Sequence, residues 1–188
     1  MLRSRPILRS GSKGFTLLEI LISISIAASV SILIAQVFFT TSRTNTKTEL
    51  LKDVKQNGEF AIGIMERMVR NALRVESLCL TTGSTLSEIQ LVNPNGDTTT
   101  FGCVLDGEVT RIASTSGTGG TEYLTSANVT IGGATCADSG NSLSFVCTSY
   151  PDQPPKVTVS FSLSQIGTPP DKRDQASVTF QTSTSPRN

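Results

Sequence analysis

The sequence of 188 residues contains no histidine and no tryptophan. Histidine is the commonest general base and metal ligand, so its absence excludes catalysis by cysteine–histidine and serine–histidine pairs. The four cysteines show no CxxC spacing, which argues against a zinc site. We therefore predict no catalytic residue, no metal site and no cofactor, and the chain is not expected to be an enzyme. A membrane-tethered enzyme stays the third and last hypothesis for the function.

Acidic residues are absent from the first 14 residues, which carry Arg3, Arg5, Arg9 and Lys13. The rest of the chain has 12 basic and 15 acidic side chains, a formal net charge of −3. Nucleic-acid binding relies on clustered lysine and arginine. The mildly acidic remainder therefore predicts no nucleic-acid partner.

Charge is almost absent from Phe15–Phe39, a run of 25 residues in which Glu19 is the only charged side chain. As a helix the run would be about 37 Å long, enough to cross a bilayer core of about 30 Å. By the positive-inside rule, residues 1–14 stay in the cytoplasm and the remainder is exported. The segment 15–39 is therefore predicted to be a transmembrane helix.

The position of the small residues indicates an unusual cleavage site. A secretory signal has its small-residue site after the apolar run. Here Thr40–Arg43 is a poor match, and the small residue is Gly14, which precedes the run. Cleavage at Gly14 would remove the basic leader, residues 1–14, and keep the apolar helix.

The stretch Gly14–Glu19, GFTLLE, resembles the N-terminus of type IV prepilins, with a basic leader before it and an apolar run after it. The resemblance implies cleavage between Gly14 and Phe15 by prepilin peptidase and N-methylation of the new Phe15 amine. It also implies insertion in the inner membrane, a periplasmic C-terminal domain and assembly with other pilin subunits. Glu19 would then face the N-terminal ammonium of a neighbouring subunit. The alternative is a carboxylate that snorkels at the membrane edge of a lone anchor.

Apolar residues recur every three or four positions after Thr44, which predicts an amphipathic helix over residues 40–76, continuous with the first. Its predicted buried face is Leu51, Val54, Gly58, Ala61, Met65, Met68, Ala72 and Val75. Gly58 weakens this helix locally by about 1 kcal/mol relative to alanine. The block Glu59–Val75 also resembles larger minor pilins and the J-type minor pseudopilins of type II secretion.

Residues 77–188 alternate in hydrophobicity with turn signals between the runs, which predicts at least five or six short, mostly antiparallel strands. The clearest run is Val157–Leu163, opposite Val178 and Phe180 across the loop Gly167–Asp174. Pro151–Lys156 is expected to be an exposed loop. The fold class is α+β and pilin-like: a long N-terminal helix packed on an antiparallel β-sheet domain.

The four cysteines, Cys79, Cys103, Cys136 and Cys147, all follow the apolar run. An even number in an exported domain predicts disulfide bonds, and three pairings are possible. We expect Cys79–Cys103 and Cys136–Cys147, because neighbours along the chain close the shortest loops. The alternative is free thiols buried as small hydrophobic groups.

These features together predict a minor pilin or pseudopilin, a structural subunit of a type IV pilus-like filament. Its setting would be pilus biogenesis, type II secretion or DNA uptake. The presence of Glu19 argues against the extreme tip of a pseudopilus, because the tip subunit of that family usually lacks this acid. The alternative is an adhesin displayed on a pilus, binding through the loops Thr115–Tyr123 and Pro151–Lys156.

Overall fold

The computed structural model describes residues 14–167 and 175–187. Residues 1–13 of the basic leader and most of the loop expected at Gly167–Asp174 lie outside the described residues. The chain divides into two compact units, residues 1–45 and 46–188. The sheets, the disulfides and the second half of the helix all belong to the second unit.

A single helix, α1, covers Leu17–Asn71 and has 55 residues. The sequence predicts helix as far as Glu76, but the structure ends it five residues earlier. The backbone N–H of Leu73 donates to the carbonyl of Val92 at 2.8 Å, and that of Glu76 donates to Gln90 at 2.8 Å. The chain leaves the helix because its backbone groups find partners on a β-strand there.

The buried face of α1 consists of Val54, Ala61, Met65, Val69 and Ala72, each at most 2% exposed. All but Val69 were predicted from the spacing. Two other predicted members, Leu51 and Met68, are half-buried at the edge of the core.

Gly58 has a packing role that its helix propensity does not suggest. A Cβ atom built there would lie 2.1 Å from the ring of Phe180, which stacks on Phe161 with the ring centroids 5.3 Å apart. A side chain at this position would force the Phe180 ring to shift, so glycine lets the helix and the strand that carries Phe180 approach this closely.

The described strands form two sheets rather than the one that the sequence suggested. The first has the order β1-β3-β4-β5-β6, and the second has the order β10-β9-β8-β2, with β7 also pairing with β9. All of these named strand pairs are antiparallel. The bounds are β1 Arg74–Val75, β2 Ser84–Leu86, β3 Ile89–Val92, β4 Thr98–Asp106, β5 Val109–Ser116, β6 Thr121–Tyr123, β7 Val129–Thr130, β8 Ser144–Tyr150, β9 Gln153–Gln165 and β10 Ser177–Thr184.

The pairing of β9 with β10 confirms the clearest strand prediction: Val178 lies opposite Leu163, and Phe180 lies opposite Phe161. The loop expected over Pro151–Lys156 is shorter in the structure. Strand β9 already begins at Gln153, which leaves Pro151 and Asp152 as a two-residue turn. Asp152 adopts a φ of 55°, a left-handed conformation that aspartate tolerates better than most residues.

The expected disulfide pairing is wrong. The structure joins Cys79 to Cys147 and Cys103 to Cys136, with Cα atoms 4.8 and 5.5 Å apart. Cys147 lies on β8, which pairs with β2, and Leu80 bridges to Thr148 beside it. Strand pairing therefore brings Cys79 to Cys147 across 68 positions of sequence, and the loop length that guided the prediction does not decide the partner.

Candidate assembly segment at the N-terminus

The start of α1 is fixed by Thr16. Its Oγ1 accepts a hydrogen bond from the backbone N–H of Glu19 at 3.2 Å, and its carbonyl accepts one from Ile20 at 3.2 Å. This is the geometry of a helix N-cap, which satisfies one of the free N–H groups of the first turn. No role was predicted for Thr16 from the sequence. The spacing of threonine and glutamate, T-x-x-E, was the available signal, because it is that of a capping box.

Glu19 lies in the first turn of α1, where a negative charge interacts favourably with the helix dipole. Within the described residues its carboxylate has no ion-pair partner, and Phe15–Phe39 contains no basic residue. Any basic side chain that pairs with Glu19 must therefore come from outside this segment.

Gly14 and Phe15 precede the helix and are accessible. Phe15 is 75% exposed, and a Cβ atom built at Gly14 would meet nothing within 4 Å. Nothing among the described residues therefore requires glycine at position 14. A requirement for a small residue there would have to come from a molecule that acts on this segment.

The apolar part of α1 is exposed along its length, and its most hydrophobic 18-residue window has a mean hydropathy of 2.4. Among the described residues, α1 is the one helix long and apolar enough to cross a membrane. Its large apolar side chains from Leu17 to Phe39 are between 48% and 78% exposed. This surface is too apolar to remain in water, so it needs a lipid or protein environment.

Three of the four serines of the apolar part are satisfied within the helix. The hydroxyls of Ser25, Ser29 and Ser31 donate to the carbonyls four residues earlier at 2.8, 2.9 and 2.8 Å. A hydroxyl that already has an acceptor can enter an apolar environment at low cost. These small side chains therefore leave room for close helix approach and need no partner of their own.

No group of three or more histidine, cysteine, aspartate or glutamate side chains is arranged to hold a metal ion in the described part of the chain. All four cysteines are in disulfide bonds. The predicted assembly residues and the cysteines thus belong to separate parts of the chain, residues 14–19 and the β-domain.

A long N-terminal helix with antiparallel β-sheets is the α+β architecture of pilin-like proteins. Residues 9–35 match the family described as the prokaryotic N-terminal methylation motif, the signal of type IV prepilins. The match includes Gly14, Phe15 and Glu19 and covers about one seventh of the chain. No curated protein and no solved structure matches the chain. The prepilin signal and the architecture together support a type IV pilin-like protein.

Proposed function

We propose that this chain is a minor pilin or pseudopilin that is cleaved between Gly14 and Phe15 and then built into a type IV pilus-like filament. The observation that carries the proposal is the combination at residues 14–19. An accessible glycine precedes the helix, the residues match the methylation motif, and the first turn of an exposed apolar helix carries a carboxylate with no ion-pair partner among the described residues. Its role is structural rather than catalytic.

Prepilin peptidase is the processing partner, and it also methylates the Phe15 amine. The processed chain is anchored by residues 15–39 in the inner membrane, with the β-domain in the periplasm. After assembly it is part of a surface filament or a pseudopilus, in contact with other pilin subunits. The resemblance of Glu59–Val75 to J-type minor pseudopilins favours a minor subunit in type II secretion or a related system.

The pairing proposed for Glu19 follows from the cost of a charge in lipid. An aspartate at the centre of a membrane helix costs about 2.5–3.5 kcal/mol on insertion scales, and intramembrane acids are usually paired. The ammonium of Phe15 in a neighbouring subunit supplies the missing cation at a matching depth. Assembly would then remove a penalty that the isolated subunit bears, which favours the filament over the free chain.

A second candidate, an adhesin displayed on the filament, has one observation in its favour. A polar surface depression of about 380 Å³ lies beside the β5–β6 hairpin, lined by residues that include Ser114, Ser116, Thr121 and Glu122. Deleting the hairpin loop, residues 117–120, should abolish adhesion and leave the filament intact if this surface binds a receptor. Unchanged adhesion would eliminate the hairpin as the contact surface.

The first experiment is intact-protein mass spectrometry of the membrane-extracted chain, with and without reductant. We expect a mass that lacks residues 1–14 and carries one extra methyl group. A gain of four hydrogens on reduction would report the two disulfides. A Gly14→Leu variant is the matched control and should keep its leader. A wild-type chain with an intact, unmethylated N-terminus would refute the proposed processing.

A further inference from the structure

The second half of α1 has an outward face whose centre is Gly63. The buried residues Ala61 and Met65 each lie two positions from Gly63, which is a rotation of about 200° around the helix. A Cβ atom built at Gly63 would meet nothing within 4 Å, in contrast to Gly58. Glycine costs about 1 kcal/mol in a helix interior relative to alanine. No described contact within the chain accounts for that cost.

Gly63 lines a surface groove of about 270 Å³ together with Glu66, Arg67, Arg70, Asn71 and Arg187. We call it the arginine groove. Arg187 follows β10 and is held beside the helix by its backbone N–H, which donates to the carbonyl of Arg70 at 3.0 Å. The groove thus contains three guanidinium groups and one carboxylate. This basic surface contrasts with residues 15–188 as a whole, whose formal net charge is −3.

Among the residues that the structure describes, two of the three guanidinium groups have no ion-pair partner. Arg70 forms an ion pair with Glu66, and its Nε donates to Oγ1 of Thr184 at 3.3 Å. Arg67 and Arg187 are exposed, and within the described residues neither side chain contacts a carboxylate. The planar guanidinium of arginine matches a carboxylate in geometry and charge.

Phe60 lies on the same outward face, one turn before Gly63, and is 56% exposed. Exposed aromatic and arginine side chains together are typical of protein–protein contact surfaces. Nucleic acid fits the groove less well, because it requires many phosphate contacts and the rest of the domain is acidic. The composition of this face therefore favours a protein partner that carries a carboxylate.

We propose that a neighbouring filament subunit docks on this face. It would place a carboxylate between Arg67 and Arg187 and an apolar side chain against Phe60 and Gly63. This inference rests on the proposed filament function. Contacts that generate an open helical assembly join two different surfaces, so the partner surface must be acidic rather than a copy of the groove. The glycine keeps the helix surface flat where the neighbour approaches.

The test uses the full chain in a neutral detergent and a fluorescent hexaglutamate peptide as the probe, with fluorescence anisotropy at low salt. The double variant Arg67→Gln/Arg187→Gln should weaken binding about tenfold, equivalent to about 1.4 kcal/mol. The control Lys52→Gln/Lys156→Gln removes the same charge elsewhere and should leave affinity unchanged. Raising the salt to about 0.5 M should weaken wild-type binding, because screening lengths become a few ångströms.

A Gly63→Leu variant separates docking from folding. A Cβ atom at this position meets no described atom within 4 Å, and leucine is a better helix former than glycine, so the melting temperature should not fall. Peptide binding should nevertheless weaken several-fold, because the side chain fills the groove.

The docking proposal would be overturned by no wild-type binding, by equal losses in the lysine control, or by unchanged binding of Gly63→Leu. Tighter binding of a 12-base-pair DNA duplex through the same arginines would also overturn it, in favour of nucleic acid. None of these results depends on leader cleavage, so a failure here is distinct from a failure of the mass-spectrometry test.

Discussion

The two glycines in the second half of α1 allow a matched comparison, because the same substitution should have opposite effects. Gly63→Ala adds a methyl group in open space, whereas Gly58→Ala adds one against the ring of Phe180. Both changes gain helix propensity, about 1 kcal/mol each. Only their surroundings differ, so the difference in stability measures the packing at Gly58.

The magnitude follows from the contacts. A Cβ atom at Gly58 would lie 2.1 Å from Cε2 and Cζ of Phe180 and 2.7 Å from Cδ2. The ring cannot withdraw freely, because it stacks on Phe161, which is 1% exposed. Overpacking of this kind costs about 1–3 kcal/mol. We therefore expect Gly58→Ala to be destabilising by about 1 kcal/mol net and Gly63→Ala to be stabilising by about 0.5–1 kcal/mol.

The assay is thermal unfolding of the full chain in detergent, followed by near-ultraviolet circular dichroism. A gap of about 2 kcal/mol should separate the two melting temperatures by about 6 °C in a domain of this size. Adding Phe180→Leu to Gly58→Ala should recover part of the loss, with a coupling energy of about 1 kcal/mol in the double-mutant cycle. If Gly58→Ala melts at as high a temperature as Gly63→Ala, the Phe180 ring does not resist a side chain at position 58.

Three further predictions concern residues 14–19 and the disulfides. Gly14→Ala should be cleaved more efficiently than Gly14→Leu, as read from the leader on immunoblots; equal cleavage would contradict a requirement for a small residue. Glu19→Ala should be cleaved normally but enter sheared filaments less, and wild-type incorporation would disprove the pairing with a neighbour's ammonium. Replacing Cys79 and Cys147 by serine should lower the free energy of unfolding by about 4 kcal/mol in denaturant titrations, since the bond closes a loop of 68 residues; a loss below 1 kcal/mol would rule out that estimate.

Local patterns in the sequence predicted the helix and its buried face, because a period of three to four residues fixes which side packs on the core. Such patterns did not predict the residue at which the helix ends. Val75 continues the helical spacing, yet it pairs with Leu91 on β3. A partner strand many positions away in sequence competes for its backbone groups, and the spacing of apolar residues does not report that partner.

The cysteines show the same limit more clearly. The number of cysteines and the export predicted for the domain were enough to predict two disulfides. The pairing depends on which strands are neighbours, and β2 pairs with β8 across some 60 residues. Gly58 is a third case, because its low helix propensity is visible in the sequence but its contact with Phe180 is not. The roles proposed for Gly14, Phe15 and Glu19 rest on a signal that is entirely local, the methylation motif at residues 9–35.

The Cys79–Cys147 bond has a mechanical consequence for a subunit that is pulled along its length. Force applied between α1 and β10 enters the domain through the chain that follows Asn71 and reaches Cys79 after eight residues. From there it crosses directly to Cys147, so strands β2–β7 lie outside the loaded path. A fully extended chain measures about 3.4 Å per residue. The 68 positions between the two cysteines could therefore extend by about 230 Å, and the disulfide prevents this extension. Under tension the subunit should therefore lengthen only by releasing α1, β1 and the strands that follow Cys147.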